Sequence, residues 1–160
     1  MDLKSSKTKE NLMRAFAGES QARNRYQFAA KEAHTQKMHV VQALFEFTAD
    51  QEQAHAKVFY DFLKEMGGEN LTVDGTYPID IYPTLLHYLR AGQHNEQEEH
   101  EKVYPQFAQV AQQEGFPQIA NAFLKIAEIE KSHGDRFGKM ADLMEQGKLF
   151  ENQGETVWMG

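Results

Sequence analysis

Two stretches of the chain place residues of one buried helical face at every third or fourth position, and each stretch carries a polar pair inside that face. The first stretch comprises Val41, Phe45, Thr48, Glu52, His55, Phe59, Phe62 and Met66, and the second Phe116, Ile119, Phe123, Ile126, Glu130, His133, Phe137, Met140 and Met144. In both, a glutamate and a histidine stand three residues apart where the spacing calls for apolar side chains. The pattern predicts packed helices with charged groups in their interior.

Strong helix formers in helical period between Leu12 and Met66, interrupted only around residues 34–38, predict two helices. Glycines, prolines and turn formers then collect in residues 67–83, which we interpret as one long connection. Long alternating β-branched runs are missing, which argues against a sheet protein.

A third helix is predicted from Pro83, which suits a first helical turn, to about Glu114. A fourth is predicted from about Pro117 to Gln146 and ends at Gly147. Four helices with one long crossover between helices two and three predict an all-α, ferritin-like four-helix bundle over residues 1–147. Residues 148–160 are predicted to form a separate C-terminal tail.

The other two predicted helices also carry glutamates on their inner faces. Glu19 lies in phase with Leu12, Ala15, Ala22 and Tyr26, and Glu96 and Glu99 lie in phase with Leu85, Leu89, Gly92, Val103, Phe107 and Val110. Burying so many carboxylates without a counter-charge would cost several kcal/mol for each ionised group. Since no lysine or arginine lies on these faces, we expect metal ions among them. Carboxylates with imidazoles suit iron or manganese better than a structural zinc site.

The overall charge and the residue types present exclude several classes of function. The chain has 17 Lys+Arg against 24 Asp+Glu, a net charge of -7 and no basic cluster, so we expect neither nucleic acid nor a membrane surface as partner. Cysteine is absent, which excludes thiolate ligands and a cysteine nucleophile within these residues. No signal-like apolar stretch begins the chain, and we expect a cytoplasmic protein.

Four motifs in order give the chain a specific resemblance to the rubrerythrin family. They are GESQARNRY (18–26), EQAH (52–55), NEQEEHEKVYPQFAQVAQQEG (95–115) and EIEKSHGDRF (128–137). The resemblance implies two iron ions bridged by Glu52 and Glu130, with Glu19 and Glu96 terminal on one iron and Glu99 and His133 on the other. It further implies that His55 replaces Glu96 on the first iron when the pair is reduced.

The resemblance also implies an activity and its partners. The expected reaction is reduction of hydrogen peroxide to water in oxidative stress defence, with Glu96, His55, Tyr26 and Tyr104 near the chemistry. The two tyrosines are equally consistent with core packing. Rubrerythrins typically continue into a rubredoxin-like domain held by cysteines, and these 160 residues contain none. Either the sequence is a piece of a longer chain, or an external electron donor such as a rubredoxin is expected. A homodimer, which in some relatives exchanges helices, is expected as well.

Two other functions remain open at this point. The same bundle and ligands could serve a ferroxidase or iron-storage role, in which many irons accumulate per chain. The metals could instead only hold the helices together, without redox reaction with peroxide.

Overall fold

The computed structural model describes residues 1–149, and within them helices occur without any β-strand. The α-helices are α1 (Lys7–Thr35), α2 (His39–Asp61), α3 (Leu85–Glu98), α4 (Tyr104–Gln113) and α5 (Pro117–Glu145). A π-helical segment, Glu99–Val103, joins α3 to α4, and short 3-10 turns span Leu3–Ser5 and Lys64–Met66. Because α3, the π segment and α4 form one long helix, the predicted four-helix bundle with a long crossover before the third helix is confirmed.

Local signals account for most helix ends. The Ser6 side chain accepts a hydrogen bond from the Lys9 amide at the start of α1. Gly115 adopts a φ of +88° after α4, a conformation that other residues rarely adopt, and the chain then enters α5 at Pro117.

The third helix begins two residues later than predicted. Thr84 is its N-cap, with an extended backbone and a side-chain oxygen that accepts from the His87 amide at 3.2 Å. A capping threonine satisfies a helix amide that a proline could not, so Thr84 and not Pro83 sets the boundary.

The π segment changes which face of the third helix is buried. The Tyr104 amide donates to the Glu99 carbonyl, five residues back, and the next residue, Pro105, has no amide to donate. After this widened turn the buried positions are Tyr104, Ala108 and Ala111. The predicted phase through Val103, Phe107 and Val110 is therefore wrong by one residue, because the π turn inserts one extra position.

The core has two apolar parts with a polar layer between them. One part contains Tyr26, Phe45, Leu89 and Phe137, and the other contains Leu12, Phe59, Tyr104 and Phe123. Buried polar side chains from all four long helices lie between these parts, at mid-length of the bundle.

Leu149 packs into the first apolar part with 1% of its surface exposed, so buried packing extends past Gly147. The predicted tail from residue 150 to 160 lies outside the described residues, and the division into bundle and tail stays a prediction. Across residues 1–149, every helix is too short or too polar to cross a bilayer.

Candidate metal centre

The polar layer consists of four glutamates and two histidines supplied by all four long helices. Glu19 comes from α1, Glu52 and His55 from α2, Glu96 from α3, and Glu130 and His133 from α5. None is more than 7% exposed. Their positions follow from the helical period, since each glutamate and histidine pair of α2 and α5 is separated by nearly one turn.

Within the described residues, these six side chains form two groups of potential ligands that share two carboxylates. The first group is Glu19, Glu52, His55 and Glu130, and the second is Glu52, Glu96, Glu130 and His133. In each group the ligand atoms lie within 4.8 Å of one another. Such an arrangement can hold two metal ions side by side, with Glu52 and Glu130 between them.

The pairing of Glu96 differs from the one that the resemblance implied. Glu96 belongs with His133, whose Nδ1 lies 3.3 Å from Glu96 Oε1, and not with Glu19. The physical reason is that α3 lies close to α5 at Gly134, where an added Cβ would stand 3.4 Å from the Glu96 Cβ. Glu99, predicted as a ligand beside His133, belongs to neither group.

Both histidines direct Nδ1 toward the carboxylates. His55 Nδ1 lies 3.2 Å from Glu130 Oε1 and 3.7 Å from Glu19 Oε1. His133 Nδ1 lies 3.0 Å from Glu52 Oε1. On its other side, His133 Nε2 donates to Gln51 Oε1, so a neutral His133 would present its Nδ1 lone pair to a bound metal. Gln51 was missed by sequence reasoning, although it directly precedes Glu52 on α2.

The two predicted tyrosines contact one carboxylate in each group. The Tyr26 hydroxyl donates to Glu96 Oε1 at 3.1 Å, and the Tyr104 hydroxyl donates to Glu19 Oε1 at 2.7 Å. Burial raises the pKa of both phenols well above the ordinary value. Both hydroxyls therefore stay protonated and act as donors.

Many carboxylate oxygens in and beside the cluster are enclosed without any hydrogen-bond partner. They are Glu19 Oε2, both oxygens of Glu52, Glu96 Oε2, Glu99 Oε2 and Glu130 Oε2. An unpaired buried acceptor costs about 1–3 kcal/mol, and more if charged. Oxygens enclosed in this way are the ligands that hard and borderline metal ions take, so the residues fit a pair of bound metals.

Without metal, protons take up part of the negative charge. Burial, together with repulsion from Glu130, raises the pKa of Glu19 from 4.5 to about 8. Burial alone would lower the pKa of His55, but hydrogen bonds to Glu130 and Glu19 outweigh it and raise that pKa to about 9. Metal binding at this cluster would therefore displace protons.

His100 stands one turn after Glu96 in the chain, where the sequence predicts at most an indirect contact with the cluster. It lies in the π segment, half-buried, and its Nδ1 donates to the Ala127 carbonyl of α5 at 2.9 Å. This bond ties the π segment to the helix that supplies Glu130 and His133.

Comparison with known proteins shows what this arrangement is similar to. A sequence model of the rubrerythrin family matches residues 10–141. A rubrerythrin from Clostridium perfringens (strain 13 / Type A) is 41% identical over 157 residues, covering 98% of this chain and 80% of that protein.

Solved structures of known proteins are also similar to this chain. Nigerythrin in its fully reduced, all-ferrous state superposes with a TM-score of 0.75 at 31% identity, covering 86% of this chain and 67% of that one. A humanized archaeal ferritin superposes with a TM-score of 0.70 at 19% identity, covering 92% and 94%, which shows the ferritin-like fold alone. The match to the family model and the identity to the Clostridium perfringens rubrerythrin together show that this chain belongs to the rubrerythrin family.

Proposed function

We propose that this protein is a non-haem di-iron peroxidase that reduces hydrogen peroxide to water, with electrons from an external donor. The observation that carries the proposal is the pair of four-ligand groups that share Glu52 and Glu130 and enclose unpaired carboxylate oxygens. Membership of the rubrerythrin family and similarity to an all-ferrous nigerythrin support iron as the metal. Manganese is the other metal that suits this ligand set.

In this proposal Glu52 and Glu130 would contribute to both ions, Glu19 and His55 would complete one ligand set, and Glu96 and His133 would complete the other. When bound in the ferrous state, the iron pair supplies two electrons, which with two protons convert hydrogen peroxide into two water molecules.

The protein's own side chains would hold protons near the metal site and exclude bulk water from it. Tyr26 and Tyr104 keep a proton at the hydroxyl oxygen and aim it at one carboxylate in each group. The two apolar parts of the core close the layer from both ends of the bundle. Both features favour reaction of a small molecule over release of reactive products.

We further propose Glu99, in place of Glu96, as the carboxylate that exchanges with His55. Glu96 Oε1 accepts from Tyr26 and lies 3.3 Å from His133 Nδ1, whereas Glu99 is only half-buried and belongs to neither ligand group. Burial and the neighbouring charge of Glu19 raise the pKa of Glu99 well above its ordinary value. Glu99 also begins the π segment, where the regular helical ladder is interrupted.

The test of the function is anaerobic loading with ferrous iron, an iron count per chain, and stopped-flow mixing with hydrogen peroxide. We expect two irons per chain and fast oxidation by peroxide. Glu130→Gln should lose the iron pair, whereas Glu128→Gln, an exposed glutamate on the same helix, should keep it. Accumulation of many irons per chain would favour the ferroxidase reading, and a bound pair inert to peroxide would favour a structural one.

The exchange of Glu99 has its own test. Glu99→Gln should slow the peroxide reaction while ferrous iron still binds, because six other ligands remain. Glu101→Gln, an exposed change in the same π segment, is the matched control. An unchanged rate in Glu99→Gln would contradict the exchange. The rubredoxin-type donor, the homodimer and the cytoplasmic location stay predictions.

A further inference from the structure

A cavity of about 350 Å³ lies beside the cluster, between α1, the end of the π segment and the long connection. Its walls include Gly18 of α1, Glu99, Val103 and Tyr104, and Tyr77 of the connection. Since a water molecule occupies about 30 Å³ of liquid, the space holds several small molecules. Because Tyr104 lines the cavity and donates to Glu19, one wall of the cavity is also a wall of the proposed metal site.

The segment of the connection that covers this cavity is fastened at both ends. At one end Arg14 forms an ion pair with Asp74 at 2.8 Å, and at the other Arg25 forms one with Asp80 at 2.9 Å. Asn95 of α3 also donates to Asp80 at 2.7 Å. The two arginines are eleven positions apart on α1, a rise of about 16 Å, and the two aspartates are six positions apart, about 20 Å of extended chain. Residues 74–80 therefore run along α1 as a fastened strap.

Tyr77 lies midway along this strap and crosses the helix where α1 has no side chain. A Cβ built on Gly18 would lie 3.7 Å from the Tyr77 ring, and one built on Gly75 would lie 2.6 Å from the Tyr77 hydroxyl. The hydroxyl donates to the Arg14 carbonyl at 3.2 Å. Tyr77 is 39% exposed, so the residue contacts solvent and also lines the cavity.

We propose that small neutral molecules, hydrogen peroxide among them, reach the carboxylate cluster through this cavity, and that Tyr77 limits the size of the hydroperoxide that passes. The inference deepens the proposed peroxidase function and rests on it for the identity of the substrate. The chemistry fits, because hydrogen peroxide both donates and accepts hydrogen bonds, and the cavity is lined by the carboxyl residue Glu99 and the phenol residues Tyr77 and Tyr104.

The first test compares hydroperoxides of different size on the ferrous protein. In Tyr77→Ala, the ratio of second-order rate constants for cumene hydroperoxide and hydrogen peroxide should rise by about tenfold or more. Ile79→Ala, a truncation in the same strap at a side chain that is 83% exposed, should leave the ratio unchanged. An equal ratio in the wild type and Tyr77→Ala would overturn the role of Tyr77.

The second test does not depend on turnover. Nitric oxide, a neutral molecule with two heavy atoms like hydrogen peroxide, is mixed with the ferrous protein and its binding rate is followed optically. Val103→Phe, which fills the cavity, should slow binding several-fold at unchanged iron content, and Ile79→Ala should not. An unchanged rate in Val103→Phe would refute entry through the cavity, even if the protein reduces hydrogen peroxide. If the wild type does not react with hydrogen peroxide, the proposed function fails. The nitric oxide rates alone then determine whether small molecules reach the cluster through the cavity.

Discussion

Replacing Glu19 with glutamine should make the metal-free protein more stable and the iron-loaded protein less stable. Glu19 is fully buried, and glutamine keeps an oxygen that can accept from Tyr104. In the metal-free state the substitution removes a group that must take up a proton to be buried. In the loaded state it removes a ligand. A change in unfolding free energy that is positive without metal and negative with iron indicates a site that binds cations.

The magnitude follows from the pKa of Glu19, which burial and Glu130 raise from 4.5 to about 8. Between these values the folded metal-free chain binds a proton that the unfolded chain releases, so stability falls as pH rises through this window. Each pH unit corresponds to about 1.4 kcal/mol, so the gain from Glu19→Gln should be on the order of 1 kcal/mol at pH 5.5 and on the order of 3 kcal/mol at pH 7. Above pH 8 it should level off.

The assay is urea unfolding of chelator-treated protein, followed by circular dichroism at pH 5.5, 7 and 8. Glu32→Gln provides the control, because this glutamate lies on the same helix but is exposed, and it should change stability by less than about 0.5 kcal/mol at each pH. A gain that does not grow with pH, or a metal-free variant less stable than the wild type, would refute the reasoning.

Three further predictions concern the metal, its ligand orientation and helix packing. Chelation should lower the midpoint of thermal unfolding, since iron at 100 times its dissociation constant stabilises by about 2.7 kcal/mol; equal midpoints would contradict a site that needs cations. Gln51→Ala should weaken metal binding by about 10- to 100-fold in a chelator competition, because His133 loses its orienting partner. Gly92→Ala should lower the free energy of unfolding by about 1–3 kcal/mol, because the new Cβ would lie 2.9 Å from the Phe137 ring. Gly18→Ala, where the nearest atom is 3.7 Å away, should show no such loss.

The bundle and most of the cluster could be predicted because helical period alone decides them. Glu52 and Glu130 lie in phase with large apolar residues on both sides, so any helix packed through those residues brings the two carboxylates inside. The bundle then follows from four such faces joined by one long connection.

The roles of Glu96 and Glu99 could not be predicted from the same period. An unbroken α-helix places both on one face, but Pro105 removes an amide and the helix widens just before it. The widened turn buries Tyr104 and leaves Glu99 half-buried. Proline inside the predicted helix was the available signal, and its effect on side-chain phase depends on how the bundle closes around it. The contact of Gln51 could not be predicted for another reason, since it joins Gln51 to His133 on a helix far away in the chain.

The π segment also makes the third long helix sensitive to chain length in a way that its neighbours are not. Each residue of an α-helix turns the chain by about 100°, so deleting one residue between Glu99 and Val103 would restore an ordinary helix only by rotating one half against the other. Either Glu96 would swing away from His133 or Tyr104 would swing away from Glu19. The extra residue therefore works as an angular spacer that lets two halves of one helix serve two different ligand groups.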